Sequence, residues 1–416
     1  MAPTSDAAVR AGGEPARSQA PDARACGCFD DPHFLAAARE MQALGVRVMA
    51  SADTGSAPFD AVAGRMQLRW YLVPAGPRAV SVASLALMQP LRQRARIGKR
   101  IMAGASMLGL PHLWRRSRVH VSGTNRLAGL FDPGPVHAAF LTGTAGPHRK
   151  LTVQCMDADG RIRGYAKVAG AGATQARLAN EAGTLGMLHE LGLRSAVIPR
   201  VLSYELRDGT AVLATDSADA RHPACRARLE AGHVAFLEEL AQRTASLRVP
   251  DGETLLLGLH ARMQRLPAAL SDAWRQRFGR ALRALALAPE LVAPRGLAHG
   301  DFAPGNTFRC ADRVCVFDWE YAGCDYPADY DLIRFLLVLA ALRRRRPVDA
   351  CRSVEAELTG AFGRNAQAAR ARLTACLCTH ALRLAARRAG RAAPLTWEDE
   401  AATASMLDAL DARGPA

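Results

Sequence analysis

The sequence predicts an α+β chain, with a small β-rich unit carrying one helix followed by a larger, mostly helical unit. Three observations point there. Between residues 136 and 215, short apolar runs alternate with turn residues: KLTVQCMDADGRIRGYAKVAG reads as strand, D-G turn, strand. One amphipathic stretch, Thr174 to Leu191, interrupts them and is stopped by Gly192. From 224 to 290 and again after 329, apolar residues recur at helical spacing, with one short strand-like run, RVCVFDW, between.

Composition sets the outer limits. The 416 residues allow one large domain with extensions or two to three smaller ones, and an apolar fraction of 49% supports a real core. The formal charge is +15, yet only Lys99, Lys150 and Lys167 among the 54 basic residues are lysines. The arginine excess is either compositional or an attraction to phosphate-rich or other anionic ligands. With no RNA-binding signature or zinc finger, no nucleic acid is expected. The ten cysteines lack zinc-site spacing and read as thiols of a reducing compartment. The N-terminus has no apolar stretch of a secretory signal, and LIRFLLVLAAL is too short to span a bilayer and contains Arg334, so a cytoplasmic location is expected.

Taken in order, residues 1–30 read as a disordered tail and 31–125 as an N-terminal extension of unknown role. Within the extension, 32–47 reads as a helix and 68–74 as a strand ended by Pro74; SVASLALMQPLRQRARIGKRIMAGASMLGL and RRSR at 115–118 supply basic charge. That charge forms either a weak contact with an anionic surface or a solvated face. Residues 126–217 form the β-rich unit. Residues 218–411 form the helical one.

The polar residues at fixed places suit phosphoryl transfer, which needs a cation over the phosphates, oxygen ligands for a metal ion and an acid to orient the acceptor hydroxyl. Lys167 ends an apolar strand, on the same face as Tyr165 and Ala169. Glu181 falls on the apolar stripe of Leu178, Leu185 and Leu188, where a carboxylate needs a partner, and Lys167 is the natural one. The alternative is a rotated helix with Glu181 in water. TGTAGPHR, with Gly143 and Gly146, reads as an ordinary hairpin or as a turn whose amides cover phosphates. In HGDFAPGN, Asp301 would take the acceptor hydroxyl and Asn306 a magnesium ion, around a Pro304–Gly305 turn, with His299 propping the loop. Asp318, at the end of an apolar strand, would reach the same metal.

HGDFAPGN followed by FDWEYAGCDYPADYDL resembles the aminoglycoside phosphotransferase and choline kinase superfamily. The resemblance covers roughly 125–400 and includes Lys167, Glu181, Asp318 before Trp319, and Asp331–Leu332. It implies a bilobal protein-kinase-like fold, with a small β-rich N-lobe at 126–217, a mostly helical C-lobe at 218–411, and ATP or GTP with Mg²⁺ in the cleft. The purine would meet the backbone near LATDS, around Thr215. It also implies transfer of the γ-phosphate to a hydroxyl of a small molecule such as an aminoglycoside, amino alcohol or sugar. Asp325, Asp329 and the WEDE run at 397–400 would receive a cationic acceptor, although a solvated helix start explains WEDE equally. The competing expectation is a catalytically weak, kinase-like protein that binds nucleotide or regulates a partner. Glu320 is expected close behind the metal site.

Overall fold

The computed structural model describes residues 27–63, 69–110, 117–131, 137–144, 149–170, 172–218, 224–247, 250–388, 397 and 399–414. Most of the expected tail, Gly146, Arg115, Arg116 and Glu398 lie outside them.

The extension opens with helix α1 (Pro32–Ala43). Asp31 caps it, accepting from His33 N at 2.8 Å and from Trp70 Nε1 at 2.6 Å, with proline at the first helical position. The helix stops short of the expected 47 because Gly45, at φ 72°, turns the chain into β1 (Arg47–Met49). Then come β2 (Ala57–Ala63), β3 (Trp70–Pro74), α2 (Arg78–Ser84), a 3₁₀ turn at Leu85–Leu87, α3 (Gln93–Met107) and β4 (Ser117–Ser122). The β-rich unit follows as β5 (His137–Leu141), β6 (Leu151–Met156), β7 (Ile162–Ala169), α4 (Ala173–Leu191), β8 (Ala196–Val197), β9 (Val201–Arg207) and β10 (Thr210–Asp216).

These strands build one nine-stranded antiparallel sheet in the order β1-β4-β2-β3-β5-β6-β7-β10-β9. The extension is continuous with it, since β3 pairs with β5 through Tyr71↔Leu141 and Leu72↔Phe140. Strand alternation divides the sheet into two faces. On the outer face Phe140, Val153, Val168 and Ala214 pack beneath Phe34 and Met41 of α1 and against Phe59 and Trp70 of the added strands. On the inner face Ala139, Met156 and Ile162 receive Val80, Ala83 and Ala86 of the α2 segment, and Gln154 Nε2 donates to Ala83 O at 2.9 Å.

The helical unit contains α5 (Ala231–Arg243), α6 (Gly252–Gln264), α7 (Asp272–Leu285), the hairpin β11 (Thr307–Cys310) and β12 (Arg313–Val316), α8 (Tyr330–Leu342), α9 (Pro347–Gly360), α10 (Ala366–Ala386) and α11 (Glu400–Asp411). Its core joins Phe278, Tyr330, Ile333, Leu373 and Leu377. The two units meet where Leu178 and Leu185 of α4 pack with Phe236, Phe302, Trp319 and Phe335. This is the two-lobed, kinase-like α+β architecture that the resemblance implies. Among the described residues no helix is long and apolar enough to cross a membrane.

Phe34 is 1% exposed and sits in the shared outer core. Phe34→Ala should therefore lower the stability of the sheet-bearing unit by about 3–5 kcal/mol. Urea unfolding followed by tryptophan fluorescence tests this. An unchanged midpoint would show that α1 contributes nothing to that core.

Candidate active site

Strand β7 and helix α4 set the upper half of the site. Ala166 and Val168 are buried in the outer core, so Lys167 is directed to the inner face. Glu181 is 2% exposed on the stripe with Leu178, Leu185 and Leu188. Lys167 Nζ contacts Glu181 Oε1 and lies 2.8 Å from Asp318 Oδ1. Glu181 Oε1 also accepts from Trp319 N at 3.3 Å, while its Oε2 is buried without a partner among the described residues.

Lys150 joins the same cluster. Its Nζ lies 2.5 Å from Asp318 Oδ1 and 3.1 Å from Glu320 Oε1. Sequence reasoning did not place Lys150 here; the scarcity of lysine was the available signal. The close approach of Gly143 bears on its position: Gly143 has φ +72°, and a Cβ there would stand 2.3 Å from Lys150 O. The neighbouring Arg149 faces the other way and makes a bidentate pair with Glu40 of α1 at 2.8 and 2.9 Å. The extension thus pins the turn from outside while Lys150 enters the cleft.

Asp318 follows β12 with φ 71°, an uncommon conformation for a residue with a side chain. Burial pushes its carboxyl up, but Lys150 and Lys167 outweigh that and hold it far below the ordinary carboxylate range. Burial likewise works against the Lys150 ammonium, and Asp318, Glu181 and Glu320 more than restore it. Glu320 is pushed up by burial and by Asp318, against the pull of both lysines.

The loop at 299–306 forms the lower half. Asp331, at the start of α8, accepts from His299 N at 2.6 Å and Gly300 N at 3.0 Å. Gly300 has φ +76°, and a Cβ would fall 2.3 Å from Tyr321 O and from Tyr326 Oη. Asp301 N donates to His299 Nδ1 at 3.2 Å, which leaves Nε2 as the donor to Phe317 O at 3.0 Å. Burial keeps this imidazole below its usual pKa, in keeping with a neutral prop. Asn306 Nδ2 donates to Asp301 O at 2.8 Å and Oδ2 at 3.1 Å, and Asn306 O accepts from Phe317 N at 3.2 Å. Asp301 and Asn306 are therefore tied to each other and to the residue before Asp318. Burial raises the Asp301 carboxyl, with Asp318 adding to the rise and Arg334, Arg387 and Arg383 opposing it.

The Asn306 amide nitrogen is committed to Asp301, so its Oδ1 is the atom left to face a cation. It is a hard oxygen, as are those of the Asp318 and Glu320 carboxylates, the type Mg²⁺ takes, although among the described residues no three acidic, histidine or cysteine side chains are grouped to hold an ion. Thr215 stands on β10 opposite Tyr165, two positions along β7 from Lys167, and so at the strand end rather than in the charge cluster. The extension also touches the C-lobe hairpin: Gln89 Oε1 accepts from Cys225 N at 3.2 Å, and Leu91 packs against the cluster of Cys225, Phe308 and Cys315.

The acids considered for a cationic acceptor are engaged elsewhere. Asp325 pairs with Arg262. Asp329, 6% exposed in its side chain, holds Arg364 at 2.9 Å and Arg372 at 2.7 Å. Asp399 pairs with His380 at 3.0 Å, and Glu400 accepts from Trp274 Nε1 at 2.8 Å.

Because both Asp331 oxygens are spent on loop amides, Asp331→Asn must turn an NH₂ group toward one of them. The expected loss is roughly 2–4 kcal/mol by denaturant titration. Wild-type stability in that variant would show that the loop is held by other contacts.

The family model described as the phosphotransferase enzyme family matches residues 148–374. A search of curated proteins finds no match. Among solved structures, the chain is similar to the apo form of a thermostable mutant of aminoglycoside phosphotransferase APH(4)-Ia, with 15% identity, 68% of this chain and 95% of that chain covered, and a TM-score of 0.47. It is similar to a putative fructosamine-3-kinase from Thermobifida fusca, with 20% identity, 70% and 98% coverage and a TM-score of 0.38. It is also similar to the choline kinase LicA from Streptococcus pneumoniae, with 13% identity, 69% and 96% coverage and a TM-score of 0.40. With more than half of its length matched by that model, the chain belongs to the phosphotransferase enzyme family.

Proposed function

We propose that the protein moves the γ-phosphoryl group of ATP or GTP, with Mg²⁺, onto a hydroxyl of a small molecule. The observation that carries this reading is the Lys167 ammonium, held between Glu181 from one helix and Asp318 from the far lobe. A strand and the helix that follows it, and a loop more than a hundred residues further on, deliver complementary charges to one point. No packing requirement of the sheet explains that.

Each residue then has a task. Lys167, fixed by Glu181, and Lys150, at the mouth of the Gly143 turn, present two cations to the nucleotide phosphates. Asp318 and Asn306, with Glu320 behind them, would hold the magnesium ion, which when bound neutralises charge on the phosphates. Asp301, oriented by Asn306, accepts the hydrogen bond of the acceptor hydroxyl and takes its proton. The β10 backbone around Thr215 meets the purine.

The test is release of nucleoside diphosphate from purified protein over a panel of hydroxylated acceptors. Asp301→Ala should lower kcat by roughly 10²–10⁴-fold while Mg–nucleotide affinity is kept. Unchanged turnover would remove Asp301 from the reaction. Lys150→Met should raise the KM for nucleotide at least several-fold, and an unchanged KM would make Lys150 a counter-ion only. The contact of the extension with the C-lobe, through Gln89 and Leu91, favours the second reading, a nucleotide-binding regulator. Tight Mg–nucleotide binding with no transfer to any acceptor in the panel would support it.

A further inference from the structure

Next to Asp301, Tyr321 is surrounded by cations. Arg177 of α4 donates to its hydroxyl at 2.8 Å and lies 4.8 Å from the ring centroid. Arg383 and Arg387, at the end of α10, lie 4.9 and 4.1 Å from the same centroid. Arg334 of α8 is the next cation, and its charge acts on Asp301 together with those of Arg387 and Arg383. Holding the tyrosine does not require all of these. Arg383 serves that end, donating to Gly300 O at 3.0 Å and stacking on Tyr326 at 4.7 Å as well.

Of the carboxylates near this wall, Glu320 answers Lys150, Asp331 the two loop amides and Asp329 its arginines, Asp399 meets His380 through Oδ2, and Asp301 is the acid these arginines act on. Among the described residues, neither Arg334 nor Arg387 makes an ion pair. The crowding is felt within the cluster: burial first, then Arg387 and Arg383, pull the Arg177 guanidinium below its ordinary value against Tyr321 and Glu320. A basic wall of this kind repels an amino-bearing acceptor and attracts an anion.

We propose that the acceptor is an anionic hydroxyl compound, carrying a phosphate or carboxylate group that Arg387 receives while its hydroxyl meets Asp301. This rests on the phosphotransfer reading. In the reaction the bond from the γ-phosphorus to the oxygen bridging it to the β-phosphate breaks. A bond from that phosphorus to the acceptor oxygen forms, and the hydroxyl proton passes to Asp301 and then to water. The products are nucleoside diphosphate and an acceptor bearing one more phosphate. A planar guanidinium fork suits both phosphate and carboxylate, so the arms of the test separate them.

The experiment is calorimetric binding, at fixed ionic strength and with Mg–AMP-PNP present, of a hexose, its phosphate ester, its uronate and its amino counterpart. At least one of the two anionic sugars should bind ~10-fold or more tighter than both the neutral and the cationic one. Arg387→Glu should abolish that preference without changing AMP-PNP affinity, and Arg387→Ala should reduce it. If Arg387→Glu does not fold, Arg387→Ala alone decides, with AMP-PNP binding as its folding control. Equal or weaker binding of both anionic sugars at millimolar concentration overturns the proposal, as does an undiminished preference in the Arg387 variants. The phosphotransfer reading survives those results, because AMP-PNP binding reports on it separately. Failure of wild-type protein to bind Mg–AMP-PNP overturns both.

Discussion

The arrangement depends on one carboxylate. Asp318 stands at the end of a C-lobe strand and takes two ammonium groups, Lys150 and Lys167, from neighbouring strands of the N-lobe sheet. Each of these three charges would be costly in so enclosed a place by itself. Removing one member of such a buried set typically costs about 3–5 kcal/mol, most of it the penalty on the partner left behind. The cluster therefore fixes the distance between the lobes at the point where phosphates would lie. It also keeps Asp318 ionised and ready for a metal ion. Glu181 plays the same part for Lys167 from the side, and Glu320 for Lys150.

The lower half is held by hydrogen bonds rather than by opposed charges. Asp331 gathers the amides of His299 and Gly300, His299 ties the loop to Phe317, and Asn306 ties Asp301 to itself. Gly300 leaves room for two oxygen atoms that any side chain would displace. The result is an acid whose backbone and carboxyl oxygens are both oriented before any ligand arrives. Such pre-orientation is the main thing phosphoryl transfer asks of a protein.

Much of this was legible from sequence where local periodicity carried the information. A period of two put Lys167 on the face opposite Ala166 and Val168, and a helical stripe put Glu181 among leucines, so the pair could be named without coordinates. Lys150 could not, because its direction is decided by a turn pinched at Gly143 and by Glu40, more than a hundred residues earlier. Strands β2 and β4 were hidden for a related reason. Ala57–Ala63 contains Pro58 and a buried Asp60 satisfied by Arg118, at 3.0 Å, so its apolar alternation is broken. Asp329 looked like a free acid because Arg364 and Arg372, which enclose it, come from elements that lie well beyond it in the chain. The arginines around Tyr321 were lost in a chain whose basic residues are nearly all arginine.

The continuity of the sheet across β3 and β5 has a practical consequence. The stretch that carries the chemistry shares one sheet and one core with the segment before it. Severed ahead of His137, the chain would present β5 as a bare hydrogen-bonding edge. It would also open Phe140, Val153 and Val168 to water over one whole face of the sheet. Exposed, flat and apolar edges of this kind recruit other copies into aggregates. Selection acting on the enzyme half therefore acts on the preceding segment as well, and the two would be inherited, expressed and lost together.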